Sequence, residues 1–395
     1  MENIGVFKDL KIIEIATVLA APQVGQFFAE LGAMVIKIEN TKTKGDVTRK
    51  WLLNGETSEP SAYFVAANLG KYSVSIDLQK HEGQKIVLEL LKNADILILN
   101  LKPGDAHKLG LNEDKLLKLN PRLIIGEITG YGEDSPRTGY DAVIQAEAGF
   151  MFLNREPNEL PQKMPVALMD LVASHQLKEA LLIALYERTF TDKGKKVSVS
   201  LIQAGIASLA NQGTAWLVSH LNPQPMGSEH PSIFPYGAIF LTIDNQYVML
   251  AVGNDKEFAL LCKSLSLENL ISDERFCTNA LRVQNRKELK AIIAEKILQK
   301  SQNEWIGIWN ELKIPCAPVN DIPTVFSLDY SKDLIFDDNH GNQALKTVAF
   351  KGIETKHCLM KAPFYAEHTQ KILQEVLHLE EEVIEKLRLD GVIEF

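Results

Sequence analysis

The chain has 395 residues, of which 46% are hydrophobic and 24% charged, with a formal net charge of −9. That length exceeds one ordinary core and predicts about two domains. The acidic balance excludes nucleic acid as the main partner, because duplex binders carry a basic stripe.

Membrane and leader segments are not expected either. No apolar run reaches the length of a span, and the opening Met1-Glu2-Asn3 is not a basic-then-apolar leader. The four cysteines (Cys262, Cys277, Cys316 and Cys358) stand far apart, without the spacing of a zinc site or a disulfide frame. They read as reduced thiols, and the protein reads as cytoplasmic.

In chain order, residues 10–16 predict a buried strand, followed by a helix from Pro22 with Phe27, Phe28 and Leu31 inside. A second strand, Met34 to Glu39, completes a βαβ unit and implies a parallel sheet covered on both faces. Its acidic end invites a dinucleotide reading. The first turn, Thr17 to Pro22, has no GxGxxG to admit a pyrophosphate, which argues against it. Strands at 72–77, 95–99 and 122–129 then alternate with helices at 81–92 and 113–119, predicting a doubly wound α/β domain. Ligands of such sheets lie at the carboxyl ends of the strands. The loops there are Thr17–Pro22, Glu39–Arg49, Asn100–Lys108 and Thr129–Asp141, each with Gly, Pro or charge.

A helix over 170–190, a strand at 197–200 and an apolar helix at 201–218 follow. Residues 219–236, rich in Pro, Gly and Asn, read as a linker. A hairpin around Asp244-Asn245 and helices near 255–265, 286–299 and 302–312 predict a smaller α+β domain. The tail shows strand-like pieces near 345–351 and helices near 366–376 and 380–389.

Common chemistries lack their signatures. There is no GxSxG elbow, no HExxH, no phosphate loop, and no cysteine with a base nearby in sequence. What remains is carboxylate chemistry, centred on Asp170 in the apolar stretch Met164–Val172. One reading makes Asp170 the cap of the following helix, with Leu171, Val172, Leu177, Leu181, Leu182 and Leu185 at helical spacing on one face. The other makes it a covalent nucleophile, which a helix N-terminus would favour as the anion.

Blocks along nearly the whole chain carry a resemblance. They include Leu10-Lys11-Ile12-Ile13-Glu14, Gly45-Asp46-Val47-Thr48-Arg49, Asn100-Leu101-Lys102-Pro103-Gly104, Gly130-Tyr131-Gly132, Gly139-Tyr140-Asp141 and Asp192-Lys193-Gly194-Lys195. In order and spacing the sequence resembles the family III CoA-transferases, the group of formyl-CoA, L-carnitine and succinate–hydroxymethylglutarate CoA-transferases. The resemblance implies that Asp170 is the nucleophile, forming acyl anhydrides and an aspartyl-CoA thioester, with Tyr140 and Asp141 as active-site support. It implies CoA contacts from Val18, Leu19, Asn40, Ile76, Asn100, Lys102 and Lys108. It also implies a Rossmann-like large domain built from both chain ends (1–200 and 325–395), a connection at 201–225, a small domain at 226–324, and an interlocked homodimer. No cofactor or metal is expected, coenzyme A thioester being a substrate alongside a free carboxylic acid, with succinyl-CoA the expected donor. Departures at Leu19, where Gln is frequent, and Asn40, where Arg is frequent, remove a polar contact to the acyl group and weaken an adenine contact, and with no glycine-rich lid of the formyl-CoA transferase kind they point away from an oxalate–formate pair. Two alternatives remain. A 2-methylacyl-CoA racemase carries His where this chain has Tyr140, and tyrosine's high pKa suits a donor better than a base. A CoA-binding protein without catalysis would have no use for Asp170.

Overall fold

A computed structural model describes residues 5–355 and 359–395; Cys358 and the opening Met1-Glu2-Asn3 lie outside the described residues. The chain divides into two compact units, one of Met1–Gly149, Met164–Thr214 and Tyr330–Phe395, the other of Phe150–Lys163 and Ala215–Asp329.

The first unit is built on a mixed α/β plan with a parallel central sheet. Its strands are β1 (Lys11–Ile15), β2 (Met34–Glu39), β3 (Tyr72–Ile76), β4 (Ile96–Leu99), β5 (Ile124–Thr129) and β6 (Lys196–Ser200), all parallel to their neighbours. A short final strand, Ile393–Glu394, pairs antiparallel with β3 and covers that edge. The order is the final strand, then β3-β2-β1-β4-β5-β6. The chain thus winds one way from β1 and returns to start the other way at β4. The crevice outside the carboxyl ends of β1 and β4 is where such a sheet leaves room for a ligand.

Burial on both faces explains the near-continuous apolar strands, such as the fully buried Ile96-Leu97-Ile98-Leu99. One core layer gathers Val74, Ile76, Leu97, Leu99 and Ile125 of the sheet with Val87 and Leu91 of the helix His81–Lys92 and Leu373 and Ile384 of the tail. Two charged residues interrupt this pattern from inside the strands. Glu14 and Lys37 are fully buried and paired at 3.0 Å.

The second unit holds an antiparallel sheet of β7 (Tyr236–Leu241), β8 (Tyr247–Ala251) and β9 (Cys316–Pro318). Against it pack the helices Asp255–Ser264, Arg286–Ile297 and Gln302–Glu311, with Trp305 and Trp309 stacked 5.1 Å apart in the core. A capping box between Ser301 and Glu304 starts the last of these helices.

Three expected elements differ. The apolar helix at 201–218 is two helices, Leu201–Ala207 and Ala210–Ser219. The Ser208 hydroxyl donates back to the Ala204 carbonyl, and Ala210 takes a left-handed φ of 45°. In the tail, the strand is Gln343–Leu345, paired with Ile335–Asp337, and residues 346–351 carry no strand. There the amides of Thr347 and Val348 donate to the buried Glu30 carboxylate rather than to a ladder. The long helix starts before Asp170, at Leu168, and runs to Thr191. Among the described residues, no helix is long and apolar enough to cross a membrane.

Candidate active site at the head of the long helix

The four loops singled out from sequence, with the end of β3, line one cavity of about 1250 Å³ within the first unit. Its walls include every expected site residue: Val18, Leu19, Asn40, Ile76, Asn100, Lys102, Lys108, Tyr140, Asp141 and Asp170. Chain topology brings the first nine together, because each lies in a loop that follows a strand, or ends one, at the same edge of the sheet, and Asp170 joins them from the head of the long helix.

Asp170 is not the helix cap. Ala167 holds the cap position without a side-chain bond, and Asp170 sits inside the first turn. The missing acceptor comes from another loop. Asp141 Oδ1 accepts the Met169 amide at 2.8 Å, while its Oδ2 accepts from Gln145 Nε2 at 2.7 Å. Gln145 in turn accepts the Met164 amide at 2.8 Å, so the β5 loop and the segment leading into the long helix are stitched together. The loop reaches this position because Gly130 and Gly139 touch backbone to backbone; a Cβ at Gly130 would collide with the Gly139 amide. At its far end the helix is held by Arg188, which pairs with Asp95 just before β4 at 2.9 Å.

This arrangement decides the state of Asp170, which is 8% exposed. Burial, and after it the negative charge of Asp141, push its carboxyl up to about 7. The helix N-terminus was expected to favour the anion; desolvation and a second carboxylate outweigh that dipole here. Tyr63 faces the same acids. Its hydroxyl is raised by burial first and then by the charges of Asp170, Asp141 and Asp46, and its ring meets Trp51, a cavity residue, edge-on at 5.0 Å.

The other residues divide by what their polar atoms already do. Asn100 clamps two loops, its Oδ1 accepting the Thr17 amide at 3.0 Å and its Nδ2 donating to the Thr17 carbonyl at 2.7 Å. Asn40 Oδ1 accepts the Lys42 amide at 2.9 Å and shapes the turn after β2. Lys108 is exposed and pairs with Asp105 at 2.8 Å. Tyr140 is 59% exposed, at the cap of the short helix Asp141–Glu147.

Sequence reading missed several cavity residues: Lys42, Lys44, Lys50, Trp51 and Arg137. Lys42 and Lys44 were legible in the marked loop after β2, with Lys50 just past its end, but only Asn40 of that loop was named as a site residue. Arg137 packs on the Tyr131 ring at 3.9 Å and pairs with Glu147, which no local pattern announces. Together with Lys102 and Lys108, these cations suit a ligand bearing several phosphates, and two carboxylates stand at the head of the long helix.

Residues 7–369 match CoA-transferase family III. This chain belongs to that family. Among its relatives, succinyl-CoA:glutarate CoA-transferase of Mus musculus is 34% identical over 98% of this chain and 90% of its own length. Succinate–glutarate CoA-transferase of Agrobacterium fabrum is 33% identical over 94% of this chain and 96% of its own. A CAIB/BAIF family protein from Brucella suis superposes with a TM-score of 0.85 at 36% identity, over 94% of this chain and 99% of that one. This family III CoA-transferase therefore shares its fold and its enzyme class with proteins matched nearly end to end.

The raised carboxyl has a consequence for stability. A folded-state value of about 7 against an ordinary 3.8 means the native state holds a proton that the unfolded chain releases. This contribution is fully present below pH 3.8 and is lost as pH rises through 7. Asp170→Asn should therefore stabilise the protein at pH 8.5, by up to about 4 kcal/mol, and leave stability near pH 4 almost unchanged. Denaturant titration at the two pH values checks it; equal effects at both would contradict the burial of a strained acid.

Proposed function

We propose that this transferase moves CoA from an acyl-CoA to a free carboxylic acid through covalent intermediates on Asp170. What carries the reading is Asp170 itself: a carboxylate at the wall of a CoA-sized cavity, beside a second acid and several cations. In its anionic form Asp170 attacks the thioester carbonyl and expels CoA thiolate, leaving a mixed anhydride. The thiolate attacks the Asp170 carbonyl, releasing the donor acid and leaving an aspartyl-CoA thioester. The acceptor carboxylate attacks that thioester, and the thiolate, again released, takes the acceptor's acyl group from the second anhydride. Asp170 ends as a carboxylate, so the cycle balances without any oxidant, metal or resident cofactor.

Asp141 contributes by placing the helix head, and its charge disfavours the Asp170 anion in the empty site, so a carboxylate that has shed its solvent is primed to attack. The lysines of the β2 and β4 loops hold the phosphates of CoA. Tyr140, at the position where a racemase carries a base, serves as a hydrogen-bond donor, which supports transfer over racemisation. The relatives named for succinyl-CoA and glutarate support succinyl-CoA as donor and a dicarboxylic acid as acceptor. A reducing cytoplasm is in keeping with Cys262, Cys277 and Cys316, which are unbridged.

A homodimer is supported by the outer face of the long helix. Leu182, Ile183, Tyr186 and Phe190 are exposed there, at 37, 66, 72 and 67%, a patch that calls for cover. A large domain built from both chain ends and a small domain, with the chain interlocked through its partner, belong to this proposal, the segment Phe150–Lys163 going with the small domain. Light scattering should give twice the chain's 44.1 kDa, and a monomer at working concentrations would contradict it.

Incubation with acyl-CoA and hydroxylamine should convert Asp170 to its hydroxamate, found by peptide mass spectrometry. Asp170→Ala should lose transfer entirely, on the order of 10⁴-fold or more, while keeping its fold and CoA affinity. A racemase or a simple binder would give no hydroxamate, and an active Asp170→Ala enzyme would overturn the covalent route.

A further inference from the structure

A buried ionic chain runs beneath the cavity. Lys71 pairs with Glu14 at 2.8 Å, Glu14 with Lys37 at 3.0 Å, and Lys37 with Asp46 at 3.1 Å, all four side chains being at most 2% exposed. Gly25 of the first helix (Ala20–Glu30) makes room for it, since a Cβ there would collide with the Glu14 carboxylate. Lys37 also donates to the Ala16 carbonyl at 2.6 Å, at the exact end of β1 where the cavity begins. Nothing in the transfer chemistry consumes these charges.

The chain ends at one backbone atom. Both oxygens of Asp46 accept the Val18 amide, at 3.3 and 3.2 Å. Val18 has a φ of 71°, a left-handed conformation that a β-branched side chain strongly disfavours. It persists where the surroundings over-determine it, and such strain gathers at functional sites. Val18, Leu19 and Ala20 line the cavity, and the first helix starts at Ala20, immediately after Leu19. Asp46 is itself fixed from three sides. Its amide donates to Glu39 at 2.8 Å, and the Thr48 amide and hydroxyl donate to its Oδ1 at 3.0 and 2.8 Å.

The geometry points to Asp46 as a positioning residue for the transfer reaction: it holds Val18 in the left-handed conformation and so sets the Thr17–Ala20 wall against which the acyl-CoA thioester lies. The inference rests on the transfer reading. Burial works against the Asp46 charge, but Lys37 and the Thr48 and Val18 donors outweigh it and keep the carboxyl below its ordinary range, so it remains the acceptor this role requires.

A double-mutant cycle with Val18→Gly tests it, because glycine adopts a φ of 71° without assistance. Asp46→Asn should lower kcat/KM about tenfold or more in the wild-type background and less than about threefold in the Val18→Gly background. Thr48→Val, which removes one donor to Asp46 and keeps the shape, should show a smaller loss with the same cancellation, and serves if Asp46→Asn does not fold. A purely structural Asp46 would give equal losses in both backgrounds, which would overturn the inference. The same cycle read as CoA affinity by calorimetry needs no turnover. A wild type that binds CoA but transfers nothing would defeat the transfer reading alone, while the affinity cycle still decides the role of Asp46.

Discussion

The hydrogen bond from the Met169 amide to Asp141 joins two parts of the chain that topology would otherwise leave independent. One is the loop after β5, at the ligand edge of the sheet; the other is the head of a 24-residue helix packed against β5, β6 and the first helix. A local cap would have served the helix as well. Taking the cap from another loop means that the helix head, and Asp170 with it, moves only when the cavity wall moves. It also brings a second carboxylate beside Asp170, out of water. Burial first, and after it the Asp141 charge that this contact brings near, hold the acid at a high pKa.

Burial and the helix dipole act on Asp170 in opposite senses, and their magnitudes settle the outcome. A helix N-terminus stabilises an anion by about 0.3–1 kcal/mol when exposed and about 2 kcal/mol at most when partly buried. A shift from 3.8 to about 7 corresponds to a net effect of about 4 kcal/mol the other way. The protein therefore carries a carboxylate in a site that is poor at solvating it. Such a site costs stability and gives a more reactive nucleophile, a trade common where chemistry is done.

Much of this was legible in the sequence because strand periodicity and loop composition are local. The six parallel strands lie close to where alternation and apolar runs place them, and the loops at their carboxyl ends do converge. The ten site residues, which the family resemblance rather than local pattern implied, share one cavity with those loops. What local pattern could not tell is which polar atoms are already engaged. Asn100 reads as a ligand contact, yet both ends of its amide bind the Thr17 backbone. Asp170 reads as a cap because caps are normally local, and the acceptor here is 28 residues away in sequence. The tail failed for a similar reason, since Glu30 takes the amides of Thr347 and Val348 across a separation of more than 300 residues. Likewise, the apolar positions on the long helix were read as one face, whereas its buried stripe runs through Asp170, Ala173, Leu177, Leu181 and Ala184 and leaves Leu182 exposed.

Whether Asp170 passes through an anhydride is decided most directly by following oxygen. In the proposed cycle the acceptor acid leaves one of its carboxylate oxygens on Asp170 at each turnover. With a heavy-oxygen-labelled acceptor acid and unlabelled acyl-CoA, the peptide containing Asp170 should gain the label, and no other carboxylate should. Product formed with one labelled oxygen kept in the new acyl-CoA and the other found in the released donor acid, and none in that peptide, would contradict covalent transfer through Asp170.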